Sequence, residues 1–147
     1  MNEVSLNAHV PSQSAQQVYA AISNFSVYPQ LCESVRNIEI ETIAEHEVLS
    51  HWEVNFHSGI LKWQERDVFD RDNLHIHFRQ TAGDIEHFSG SWQVSETDGG
   101  ASIAFRSCFD LGLPMLADML DPVARQAIRD NISAIIHGLF PNSQIQE

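Results

Sequence analysis

Basic residues are scarce in this chain. Of its 147 residues eight are lysine or arginine, against 20 acidic ones, and Lys62 is the sole lysine. The net charge of −12 argues against nucleic acid and anionic membrane surfaces as partners, because both require a basic face. Cysteine is nearly absent. Cys32 and Cys108 stand far apart without metal-ligand spacing, which predicts reduced, buried thiols in a cytoplasmic protein; a single bridge between them is the other arrangement the sequence allows. No run of about 18 apolar residues occurs, so no membrane span is expected. The N-terminal MNEVSLNAHVP lacks the basic-then-apolar order of a signal peptide. Repeats, linkers and low-complexity segments are missing too, so residues 1–147 read as one domain.

What the chain does have is alternation. In EVSLNAHV, Val4, Leu6, Ala8 and Val10 share one face, predicting a half-buried strand that Pro11 ends. Ser12 or Ser14 then caps a helix through Phe25, with Val18, Tyr19 and Ile22 on its apolar side, and SVYPQL adds a short helical turn. From about residue 35 to 111 the period is two. Ile38 and Ile40, then Val48, Trp52, Val54 and Phe56, then Leu74, Ile76 and Phe78 each share a face. Phe88, Gly90, Trp92 and Val94 follow, and then Ile103, Phe105, Ser107 and Phe109. Turn residues at 57–59, 70–73, 82–84 and 97–100 separate the runs, and such short connections imply antiparallel pairing. Residues 113–121 read as an apolar turn, with Asp121 as N-cap and Pro122 at the first position of a helix to about Phe140. Its expected inner stripe is Val123, Ala124, Ala127, Ile128, Asn131, Ile135 and Leu139. A sheet curled around one long helix leaves space between them, and such space holds ligands.

The stretch ILKWQERDVF, residues 60–69, carries charge on both faces of a strand. Lys62, Gln64 and Arg66 alternate with Trp63, Glu65 and Asp67, and both faces are equally apolar at their ends, so alternation does not say which is inside. Either Arg66 enters the interior or it is a surface arginine in cross-strand ion pairs. Trp92 and Phe88 are core aromatics or a flat wall for a planar ligand. Ser107 and Asn131 are polar positions in apolar stripes, either satisfied internally or turned to a ligand. His75 and His77 share a strand face but oppose the apolar one, so no metal is predicted, and no cofactor.

The segments VPSQSAQQVYAAISNFSVYPQL, WQERDVF, FSGSWQV and LDPVARQAIRDNISAIIHGLF resemble the START-like helix-grip superfamily, with the polyketide aromatase/cyclases and the coenzyme-Q-binding carriers as the nearest groups. The resemblance implies an α+β helix-grip fold: a seven-stranded antiparallel sheet around a long C-terminal helix, with two short helices between the first two strands. It implies a pocket arginine, matched by Arg66 after Glu65, with Gln64 on its face, and a pocket aromatic at Trp92 with Phe88 beside it. Asn131 and Ser107 would contact substrate; relatives carry Gln or His at the position of Ser107 and often serine at that of Trp63. The expected activity is aldol cyclisation and dehydration of a poly-β-ketone, with Arg66 polarising carbonyl oxygens. The substrate would be a hydrophobic or polyketone small molecule, brought by an acyl carrier protein that Arg36, Arg125 and Arg129 are the few residues available to meet. A non-catalytic carrier of a quinone, lipid or similar molecule is the alternative, decided by the face on which Arg66 lies. An assembly or stress factor with a filled core is a third reading.

Overall fold

The computed structural model describes residues 2–56 and 59–146. Strand β1 (Asn2–Pro11) leads through helix α1 (Ala15–Ile22), a 3-10 turn (Phe25–Val27) and the one-turn helix α2 (Tyr28–Leu31) into a meander. The meander comprises β2 (Val35–Ala44), β3 (Glu47–Phe56), β4 (Gly59–Asp70), β5 (His75–Gly83), β6 (His87–Thr97) and β7 (Gly100–Asp110). Helix α3 (Ala117–Leu139) and a short β8 (Gln144–Gln146) complete the chain. The sheet order is β2-β3-β4-β5-β6-β7-β1-β8, and every pairing is antiparallel. This is the α+β helix-grip architecture, with eight strands rather than the expected seven. The extra strand is three residues long, too short to display a period, and it pairs with the outer edge of β1.

The inner face of the sheet follows the alternation closely. Leu6, Val10, Ile76, Phe105 and Ile103 are all but fully buried. Ser14, not Ser12, caps α1: its hydroxyl accepts from the Gln17 amide while the Gln17 side chain returns a bond to the Ser14 amide. That helix stops at Ile22 rather than Phe25. Ile40, expected to share the buried face of Ile38, is 42% exposed on β2, the edge strand of the sheet. Of the expected turns, that at 57–59 falls mostly outside the described residues.

Helix α3 begins at Ala117, four residues before the expected cap. Asp121 is therefore inside the helix and caps nothing, and Pro122 lies beyond the first turn, where it costs the backbone a hydrogen bond. The apolar residues of this region, Leu113, Met115, Leu116 and Met119, stand exposed, and so does Val123 from the expected inner stripe. Ala124 and Ile135 of that stripe anchor the helix together with Ile136, with Ile128 and Ile132 packed beside them.

Candidate functional site

Between α3 and the sheet the core is incomplete. A cavity of about 90 Å³ is lined by Phe25, Tyr28, Val35, Trp52, Val54, Trp63, Glu65, Phe78, Phe88, Trp92, Phe105, Ile128, Asn131, Ile132 and Ile135. A second compartment of about 70 Å³ shares Val54, Trp63, Phe88, Ile128 and Asn131 with it and reaches towards Phe109, Leu111 and Ala124. The two adjoin across these shared residues.

Their walls are aromatic for a local reason. Trp52 on β3 and Trp63 on β4 are direct cross-strand partners, so their indoles stack, with centroids 5.6 Å apart and planes within 7°. Phe88 meets Trp63 edge-on at 5.7 Å and Phe78 at 5.2 Å, and Trp92 meets Phe105 edge-on at 4.9 Å. Tyr28 adds its ring to Trp52, and its hydroxyl donates to the Ile22 carbonyl. Gly90 leaves room for a ring, not for a void: a Cβ there would collide with the Arg106 carbonyl oxygen and lie 2.6 Å from the Phe78 ring.

Strand β4 settles which of its faces is inside. Leu61, Trp63, Glu65, Asp67 and Phe69 point inward; Glu65 is 3% and Asp67 0% exposed. Arg66 lies on the outer face with its side chain 53% exposed, and its guanidinium donates to the Glu47 carboxylate through Nε at 2.9 Å and through Nη2. Gln64 is outside too, its amide donating to Thr81 Oγ1 at 3.0 Å. The expectation that Arg66 and Gln64 line the cavity is thus corrected. The charged face found its partners across the strands, Arg66 beside Glu47 and Lys62 beside Glu53, while the tryptophan face packed on the core.

The other expected residues divide. Trp92, Phe88 and Asn131 line the cavity. Ser107 is buried on the inner face but belongs to neither compartment; it pairs with Gly90 and Val4 across the neighbouring strands, and its hydroxyl has no partner. Asn131 Oδ1 receives a long hydrogen bond from the Cys32 thiol at 3.6 Å, which leaves the amide N–H groups to meet a ligand. Both cysteines are free.

The sequence left the Glu65 and Asp67 face open as the inner one but assigned neither acid a role. Trp63 Nε1 donates to Glu65 Oε1 at 2.8 Å, the Ser50 hydroxyl donates to Asp67 Oδ2, and Trp52 Nε1 donates to Ser50 Oγ at 2.8 Å. Asp67 Oδ1 is buried without a partner. Burial raises the Glu65 carboxyl well above its ordinary range, and the neighbouring Asp67 carboxyl raises it further. Burial raises Asp67 as well, opposed by hydrogen bonds from Glu65 and Ser50. Burial is also the main cause of the high value of Tyr28. Among the described residues, no lysine, arginine or histidine lines either compartment, and no three potential metal ligands come together. His75 and His77 lie side by side away from the cavity, their rings 4.0 Å apart and tilted by 46°.

A family model described as polyketide cyclase / dehydrase and lipid transport matches residues 12–136. No curated protein matches in sequence. Among solved structures, TTHA0849 from Thermus thermophilus superposes with a TM-score of 0.86 at 18% identity, covering 95% of both chains. The Zhui aromatase/cyclase from Streptomyces sp. R1128 gives 0.81 at 15% identity over 95% of this chain and 92% of its own. A START superfamily protein from Mycobacterium smegmatis gives 0.79 at 14% identity over 95% and 97%. At these identities the likeness is one of fold.

Proposed function

The chain belongs to the family of polyketide cyclases, dehydrases and lipid-transport proteins, and from that premise we propose that it binds a neutral, carbonyl-bearing apolar molecule and promotes its cyclisation and dehydration. The observation that carries this reading is the aromatic-walled cavity whose polar side chains of consequence, Glu65 on the sheet and Asn131 on the helix, lie on different walls. Stacked indoles suit a flat or polyketone chain, and an amide donor with a buried carboxyl suits its oxygens. A water-poor site strengthens each such contact and lets the walls select one folding of a flexible chain. Arg66, on the outer face, has no part in this scheme; its position favours the carrier reading below, and the cyclase reading rests on Glu65 and Asn131 in its place.

Size narrows the substrate. Compartments of about 90 and 70 Å³ together slightly exceed the ~150 Å³ void that holds a benzene in an apolar interior. A one-ring ligand, or the first ring to form at the end of a chain, fits without rearrangement; a long polyketone needs the cavity to widen. Delivery by an acyl carrier protein has little support. Arg36 and Arg125 already donate to Asn55 and Asn2, and the net charge of −12 repels an acidic carrier.

The test is incubation with a minimal polyketide synthase and analysis of the products. The expected outcome is an altered ring pattern, kept by Arg66→Ala and lost in Ile132→Trp, whose indole fills the cavity. Products identical to those without the protein would remove the cyclase reading. The second reading, a carrier without chemistry, is favoured by the absence of any cationic group on the described cavity walls. It predicts a co-purifying apolar molecule in native mass spectrometry and unchanged polyketide products.

A further inference from the structure

Two buried carboxyls without a cation are costly, and a well-packed apolar pair would stabilise the fold more. Glu65 and Asp67 are such a pair. They stand two residues apart on the inner face of β4, Glu65 on the cavity wall and Asp67 behind it, closed off from solvent. Their surroundings fix them: the Trp63 indole holds one oxygen of Glu65, and Ser50, itself held by Trp52, holds one oxygen of Asp67. The remaining Asp67 oxygen has no partner, and a proton kept between the two carboxyls is the hydrogen bond that meets it. Resting on the reading of the cavity as a ketone site, we propose that Glu65 is its proton-transfer residue and Asp67 the positioning partner, moving a proton at the carbon next to a bound carbonyl.

With one proton between them the pair carries a single negative charge. Glu65 passes the shared proton to the Asp67 carboxylate as it takes the proton from the α-carbon. The C–H electron pair becomes the new C=C bond, and the carbonyl π pair moves to oxygen, where an Asn131 amide N–H donates to the developing charge. Asp67, which carries the pair's charge at rest, ends with the shared proton. The pair passes from one negative charge to none and the ligand from neutral ketone to enolate, so atoms and charge balance without a co-reactant. Burial makes the carboxylate a stronger base than one in water, which is what abstraction from carbon requires. The substrate class follows: an enolisable neutral ketone, and not a fatty-acid carboxylate, which would meet the pair's own charge with no cation beside it.

The experiment uses acetophenone in D2O. Proton NMR follows the loss of its methyl signal by exchange, and saturation transfer from the protein reports binding. Wild type is expected to accelerate exchange about 100-fold over buffer. Glu65→Gln should return it to the buffer rate with saturation transfer intact. If that variant does not fold, Glu65→Asp should bind equally and exchange more slowly. Asp67→Asn removes the charge that raises Glu65, so its rate should climb at lower pH than in wild type, a shift that loss of packing alone would not give. The other titratable groups near the site are Tyr28, held at the Ile22 carbonyl, and Cys32, held at Asn131. Binding without acceleration, an unshifted profile in Asp67→Asn, or full activity in Glu65→Gln would overturn the proposal while leaving the cavity reading in place. No saturation transfer to wild type would overturn both.

Discussion

Glu65 turns inward because of partners that its own strand does not display. Trp63 reaches its carboxyl from two residues away, and Ser50 on the next strand reaches Asp67. Reading β4 alone, the face with Arg66 and the face with Glu65 end in equally apolar residues, so the choice depends on Glu47 and Ser50, which only the β3 register brings opposite. Asn131, Trp92 and Phe88 were legible because each interrupts or enlarges an already periodic apolar stripe. The inward acids carry a consequence for stability. Their carboxyls in the folded protein lie above the ordinary values of 4.5 and 3.8, so the native state holds protons that the unfolded chain has released. Stability is therefore full below the ordinary carboxylate range and falls as pH rises through the raised values. Urea unfolding at about pH 5 and about pH 8 should show wild type losing more stability over that interval than Glu65→Gln. Equal losses would mean that Glu65 is not protonated in the fold.

At the level of elements, the strands were the legible part and the start of α3 was not. Six strands alternate over runs long enough to set their faces. In contrast, Asp121-Pro122 has the local chemistry of a helix start but lies inside a helix already begun at Ala117, which continues a 3-10 turn at Pro114–Leu116 with no side-chain cap. Strand β8 left no signal in three residues. The pairing of β5 with β6 is set by the contact of Gly90 with Phe78, which also holds the Phe78 ring on the cavity wall. Gly90→Ala forces its methyl against both the Arg106 carbonyl and that ring. It should lower the unfolding free energy by about 1–3 kcal/mol, as overpacking does, and weaken ligand binding with it. Unchanged urea midpoint and affinity would show that Phe78 can withdraw freely.

Across the described residues of the molecule charge lies outside and aromatics inside, with one exception, the Glu65–Asp67 pair. The chain's net charge of −12 is spread over a surface on which even Arg66 and Lys62 are matched to carboxylates. The sheet curls around a single helix that touches it mainly through Ala124, Ile135 and Ile136, so the space opposite the stacked tryptophans stays unfilled. That much was legible from element order, since one helix cannot fill a curved sheet of this width. The identity of the polar groups facing the space was not. The most direct measurement is a set of intermolecular nuclear Overhauser effects from bound acetophenone. Contacts from its ring to the indoles of Trp52 and Trp63 and to Phe88 are the predicted result. A ligand that contacts only surface side chains, or none, would contradict a ketone-binding cavity at this site.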